Sequence, residues 1–128
     1  MARDAVLDAS AVLSLVQGEP GAEQVVACIP GALISAVNLA EVVAKLAEAG
    51  MPRGAIELAL SALGLRVVDL DQASAYEVGV MRPATRAHGL SLGDRACLAL
   101  GVAAGIPVLT SDRAWESVDI GAAVEVIR

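Results

Sequence analysis

Residues 88–112 read H-G-L-S-L-G-D-R-A-C-L-A-L-G-V-A-A-G-I-P-V-L-T-S-D, a helix followed by a short buried strand, with one acid near the start of the helix and another just past the end of the strand. Ser91 opens the helix, which runs to about Ala104. Pro107 to Leu109 then reads as a strand, too apolar to sit at a surface. Asp94 falls in the first turn of the helix, and Asp112 falls just past the carboxyl end of V-L-T. A helix delivering the chain into a buried strand is one half of a crossover unit, so the stretch predicts a parallel sheet.

The alternation continues in both directions. Toward the N-terminus we expect a short strand around Asp4–Leu7, helices at about Ser10–Val16 and Gly21–Cys28, and a strand at Ala32–Ser35. A long helix follows over about Val37–Ala49 with Gly50 as its stop, then a helix over Pro52–Leu63 with Pro52 in its first turn. Leu65–Val68 reads as a third strand, and Asp71–Met81 as a helix that Pro83 breaks or restarts. After Asp112 come a helical turn to about Glu116 and a last strand at Val124–Ile127. No repeat, low-complexity tract or linker divides the 128 residues, so the expected organisation is a single α/β domain over residues 1–128 with right-handed crossovers.

Composition agrees with this layout. Hydrophobic residues make up 56% of the chain but aromatic ones only 2%, with no Phe, so the core must be built of Val, Leu, Ile and Ala. That suits helices packed on both faces of a sheet and excludes a disordered chain. The longest apolar stretch, roughly Ala96–Leu109, is interrupted by Gly101, Gly105 and Pro107 and does not read as a membrane span. The N-terminus lacks the apolar run of a signal peptide. Cys28 and Cys97 have no metal-ligand spacing and read as free buried thiols of a cytoplasmic protein. A net charge of −6 argues against broad electrostatic binding to nucleic acid. Locally, Arg82, Arg86, His88 and Arg95 share a segment with one acid, Asp94, which reads either as a basic patch beside an acidic site or as a solvated surface.

The acids carry the functional reading. Asp8 follows the first strand, Glu41 lies early in the helix entered from A-L-I-S, and Asp94 and Asp112 sit as described. In open α/β sheets ligands bind beyond the carboxyl ends of the strands, and all four acids belong to that edge. Two carboxylates about 5 Å apart repel by roughly 3 kcal/mol at an effective dielectric near 20. Four such groups call for a cation, and an all-oxygen donor set favours Mg²⁺ or Mn²⁺ over zinc. The corresponding chemistry is attack of a metal-activated water on a phosphodiester. Each acid also has a structural reading. Asp8 can end a strand, Glu41 can pair with Lys45 at i, i+4, Asp94 can complete a capping box with Ser91, and Asp112 can cap the next turn with Ser111.

The wording around the acids is specific. V-L-D-A-S-A at the N-terminus, N-L-A-E at Asn38–Glu41, H-G-L-S-L-G-D-R-A-C-L-A-L at His88–Leu100 and V-L-T-S-D-R-A-W at Val108–Trp115 occur in the order of the PIN-domain family. The resemblance spans essentially the whole chain and is strongest to the VapC toxins of bacterial toxin–antitoxin pairs. It implies a Rossmann-like three-layer α/β/α sandwich and a divalent-metal-dependent endoribonuclease. Asp8, Glu41, Asp94 and Asp112 would hold one or two Mg²⁺ or Mn²⁺ ions, with Ser10, Asn38 and Thr110 as supporting groups. Arg82, Arg86 and Arg95 are candidate RNA contacts, though Arg95 reads equally as helix packing, and Trp115 reads as packing. Asp119 is left unassigned. The implied partners are RNA, a cognate antitoxin and a second copy of the chain, and a mean hydropathy of +0.66 agrees with an interface. The alternatives are a housekeeping PIN nuclease without antitoxin and a non-catalytic Rossmann-like binding module. The latter class lacks support: no G-x-G-x-x-G follows the first strand, no G-K-[ST] occurs, and the one lysine, Lys45, is too early for an aspartyl-phosphate enzyme.

Overall fold

The computed structural model describes residues 2–127. Five parallel strands form one sheet in the order β3-β2-β1-β4-β5, namely β1 Val6–Leu7, β2 Leu33–Ser35, β3 Arg66–Val68, β4 Val108–Thr110 and β5 Val124–Val126. Between β1 and β2 run α1 (Ala9–Gln17) and α2 (Ala22–Val26). Between β2 and β3 run α3 (Ala36–Glu48) and α4 (Arg53–Ser61). The long return from β3 to β4 carries α5 (Gln72–Val80), α6 (Arg82–Thr85) and α7 (Leu92–Ala104), and a short 3-10 turn at Arg113–Ser117 precedes β5. The chain first builds the sheet to one side of β1 and then crosses to the other, so the topological switch point lies between β1 and β4.

Strand register sorts the core into two layers. Val6 pairs with Leu33 and Val108, and Leu7 pairs with Leu109. Because strand side chains alternate, Leu7, Ile34 and Leu109 face one side, where Ala11, Val12, Val25, Val42, Leu46 and Ile56 cover them. Val6 and Val108 face the other side and pack with Leu90, Cys97, Leu98 and Trp115. The result is the three-layer α/β/α arrangement, with helices on both faces of a parallel sheet. Cys28 and Cys97 are both free and buried, and Trp115 is fully buried in the second layer with no hydrogen-bond partner for its indole Nε1 among the described residues. No helix among the described residues is long and apolar enough to cross a membrane.

The departures from expectation are local. Helix α1 starts at Ala9 rather than Ser10, because Asp8 itself is the N-cap. Strand β1 is shorter than Asp4–Leu7, since Asp4 is exposed and pairing is confined to Val6, which has partners on β2 and β4, and Leu7, which pairs with β4. Helix α2 stops at Val26, short of Cys28, and turns tighten ahead of Pro30. In β4 the ladder begins after Pro107, which has no N–H to donate; its carbonyl accepts from Val6 at 2.8 Å.

Candidate active site

Asp8 stands where β1 ends and α1 begins. Its backbone N–H continues the β1–β4 ladder to Leu109 O at 3.2 Å, so its side chain emerges beside Thr110, the last residue of β4. Oδ1 accepts from Ala11 N at 2.8 Å and from Ser10 Oγ at 2.7 Å, and Oδ2 accepts from Thr110 Oγ1 at 2.6 Å. The carboxylate is only 5% exposed. Burial pushes its pKa above the ordinary carboxylate value, and the charge of Asp94 adds to this; the bonds from Thr110, Ser10 and Ala11 pull the other way without cancelling it.

Glu41 comes from α3, whose N-cap Ser35 ends β2 and accepts from Val37 N. One turn earlier on the same face, Asn38 is 1% exposed. Its Nδ2 donates to Glu41 Oε1 at 2.8 Å and to Gly93 O at 3.0 Å. These two acceptors fix the amide orientation and leave Asn38 Oδ1 buried with no donor among the described residues. Asp94 is the third residue of α7. It forms a capping box in which Ser91 Oγ accepts from Asp94 N at 3.1 Å and Asp94 Oδ2 accepts from Ser91 N at 2.9 Å.

Asp8, Glu41 and Asp94 line one cavity of about 240 Å³ together with Ser10, Asn38 and Lys45. Beneath it, burial drives the Cys97 thiol well above its ordinary pKa, reinforced by the charges of Asp8, Asp94 and Glu41, which keeps it protonated. Asp112 is outside the cavity lining. It is exposed, and its Oδ1 caps the following turn by accepting from Ala114 N at 2.9 Å. Its backbone N–H donates to Thr110 Oγ1 at 3.1 Å, so a single hydroxyl links the Asp112 backbone, not its carboxylate, to Asp8.

The family model of the PIN domain matches residues 5–121. The chain belongs to the PIN-domain family. No curated protein is significantly similar in sequence. Among solved structures, VapBC2 of Rickettsia felis, solved bound to a DNA fragment from its promoter, superposes with a TM-score of 0.75 at 14% identity over 98% of this chain and 100% of that one. A toxin–antitoxin complex of Klebsiella pneumoniae gives 0.73 at 20% identity, covering 95% of this chain and 96% of that one. VapBC-5 of Mycobacterium tuberculosis, from the VapBC family of toxin–antitoxin systems, gives 0.60 at 21% identity with 98% of each chain covered.

In this PIN domain the donors suit a hard divalent cation in kind. They are carboxylate and amide oxygens, and Glu41 Oε2 and Asp94 Oδ1 accept no hydrogen bond among the described residues. The orphaned Asn38 Oδ1 adds a buried acceptor in the same cavity. The carboxylates are not, however, gathered into a cage: among the described residues no three His, Cys, Asp or Glu side chains approach closely enough to hold an ion. Each acid is instead tied to its own local partner. Three arginines singled out from the sequence stand away from this lining. Arg95 is part-buried with Nη1 on Val78 O at 3.0 Å, Arg82 Nη1 donates to Leu90 O at 3.2 Å, and Arg86 is exposed.

Two residues of the PIN domain's cavity region are not evident from the sequence. Gly93 packs so closely on α3 that a β-carbon there would lie 2.4 Å from Glu41 Oε1 and 2.5 Å from Oε2. A glycine in the first turn of a helix, where it weakens the helix, is the available signal. Lys45 lines the cavity instead of pairing with Glu41, whose Oε1 is taken by Asn38.

Proposed function

We propose that this PIN domain is a divalent-metal-dependent endoribonuclease that acts in the cytoplasm as the toxin of a type II toxin–antitoxin pair. The observation that carries the proposal is the shared cavity of Asp8, Glu41 and Asp94 at the carboxyl edge of the sheet, with the backbone of Asp112 one hydroxyl away. Mg²⁺ or Mn²⁺ would be held there by Asp8, Glu41 and Asp94 once their side chains draw together, and Asp112 would join by leaving its capping bond to Ala114. When bound, the ion would supply the positive charge that activates water and offsets the negative charge of the phosphodiester. Asn38 holds Glu41 in place through one hydrogen bond and anchors α3 to α7 through the other. Ser10 and Thr110 keep Asp8 oriented and partly compensate its burial.

The toxin assignment is supported by the likeness to VapBC structures and by apolar surface suited to a partner. A groove of about 770 Å³ between α3, α4 and β3 is lined by Val43, Met51, Ile56, Leu60 and Val67, and we assign it to the antitoxin. Exposed Tyr76, Val80 and Val102 on α5 and α7 support self-association as a homodimer.

The test is cleavage of total RNA by purified, antitoxin-free protein with Mg²⁺ or Mn²⁺, with EDTA and Asp94→Asn as controls. Asparagine keeps an acceptor for Ser91 N but removes the charge, so the fold is retained and cleavage is lost. Discrete fragments absent from both controls are expected. A folded protein that leaves RNA intact under all metals, or an Asp94→Asn variant with full activity, would overturn the reading.

A further inference from the structure

Beside the carboxylate cavity lies a second depression of about 430 Å³, which starts at Ser10 and Ser111, whose N–H donates to Ser10 Oγ at 2.9 Å, and follows α1 past Ser14 and Gln17 to Glu19. The two share Ser10, Leu13 and Lys45. They form one groove, acidic at its inner end, with a cation where its halves meet.

That cation is the only lysine in the sequence. Asn38, Glu41 and Lys45 fall at i, i+3 and i+7 on one face of α3, a ladder leading from buried amide to half-buried carboxylate to exposed ammonium. Lys45 makes no ion pair or hydrogen bond among the described residues; the ion pairs there are Arg3–Glu125 and Arg53–Glu57. Its charge is therefore not consumed by neutralising Glu41. A chain of net charge −6 repels a polyanion, most strongly at its cluster of carboxylates. An exposed ammonium lining that cavity is placed to offset the repulsion for an incoming phosphate.

Building on the nuclease reading, we propose that Lys45 is the substrate-positioning residue of this site. Its ammonium holds the phosphate next to the scissile one, and the depression along α1 carries the RNA strand away from the carboxylates. Arg82, Arg86 and Arg95 line neither half of the groove and take no part in this contact.

The experiment compares wild type, Lys45→Gln and Lys45→Arg on a labelled single-stranded oligoribonucleotide spanning a cleavage site mapped in total RNA. For Lys45→Gln, KM should rise about tenfold, the scale of one charged hydrogen bond, with kcat within about twofold. Lys45→Arg should restore KM. Binding of the same oligonucleotide to Asp94→Asn, followed by fluorescence anisotropy across a salt series, should lose about 0.7 from its log–log slope when Lys45→Gln is added, the loss of one phosphate contact on a single strand. The exposed side chain makes an unchanged melting temperature the expected control. If wild type cleaves, Asp94→Asn does not, and Lys45→Gln keeps the wild-type KM and salt slope, the Lys45 assignment is overturned while the nuclease reading stands. A fall in kcat alone, unrepaired by arginine, also overturns it. Wild-type protein that neither cleaves nor binds the oligonucleotide overturns both.

Discussion

Gly93 illustrates how a single hydrogen atom can be a requirement of a site. An alanine β-carbon there would meet the Glu41 carboxylate at 2.4–2.6 Å, but the atoms it meets are the tip of a flexible side chain. The fold can yield; Glu41 cannot stay where it is. Alanine also favours the helix by about 1 kcal/mol. Gly93→Ala should therefore keep or raise the melting temperature while cutting RNA cleavage by about 100-fold, the typical consequence of misplacing a reacting group by an ångström. Wild-type turnover in Gly93→Ala would show that Glu41 need not sit where α7 holds it. The positions of Asp8, Glu41 and Asp94 are legible in the sequence because each lies at a fixed offset from a strand end or a helix cap. Gly93 and Lys45 are not. A glycine reads locally as helix weakness and a lysine four residues after a glutamate reads as a surface pair, and only the packing of α7 on α3 gives either its meaning. Asp112 shows the opposite case, since its strand-end position is legible but its rotation onto Ala114 N is not.

At the scale of elements, α7 is placed by a close approach to the sheet. A β-carbon on Gly101 would lie 2.3 Å from Val108 Cγ2, so the helix rides on β4 at a distance that only glycine permits. Gly101→Ala should cost stability by about 1–3 kcal/mol of overpacking, less about 1 kcal/mol of helix propensity. In a Val108→Ala background the same change should become neutral or favourable. Urea denaturation of the four-member cycle measures this coupling, and additive effects would place the contact elsewhere. Element order and type are legible because the apolar period switches between strand and helix and because Gly and Pro mark the joints. Element ends are less so. The side chain of Asp8 captures Ala11 N and so moves the start of α1, and the two-residue β1 is defined by pairing with β2 and β4 rather than by its own sequence. The layer arrangement follows from parallel strands that are apolar on both faces, as Val6 and Leu7 are.

Across the whole molecule, the buried Asp8 carboxylate is an electrostatic cost that the proposed cation would offset. The raised pKa of Asp8 means that the ion-free native state holds a proton more tightly than the unfolded chain. Its contribution is fully present below the unfolded pKa of about 3.9 and is lost as pH rises through the folded value. In EDTA, the stability of Asp8→Asn relative to wild type should thus increase with pH over that window. Millimolar Mg²⁺ or Mn²⁺ should stabilise wild type at neutral pH, by about 2.7 kcal/mol when the ion is 100-fold above its Kd, and should not stabilise Asp8→Asn comparably. Urea titrations at a series of pH values check both, and a pH-independent difference would remove Asp8 from this role. The aromatic content adds a practical dimension. The chain has one tryptophan and one tyrosine. Trp115 is sealed in the core three residues beyond Asp112, whereas Tyr76 is 68% exposed on the α5 surface. Indole emission from this protein therefore has a single origin next to the acidic edge, so spectral changes on adding an ion, an oligonucleotide or a protein partner can be followed label-free and assigned to one residue.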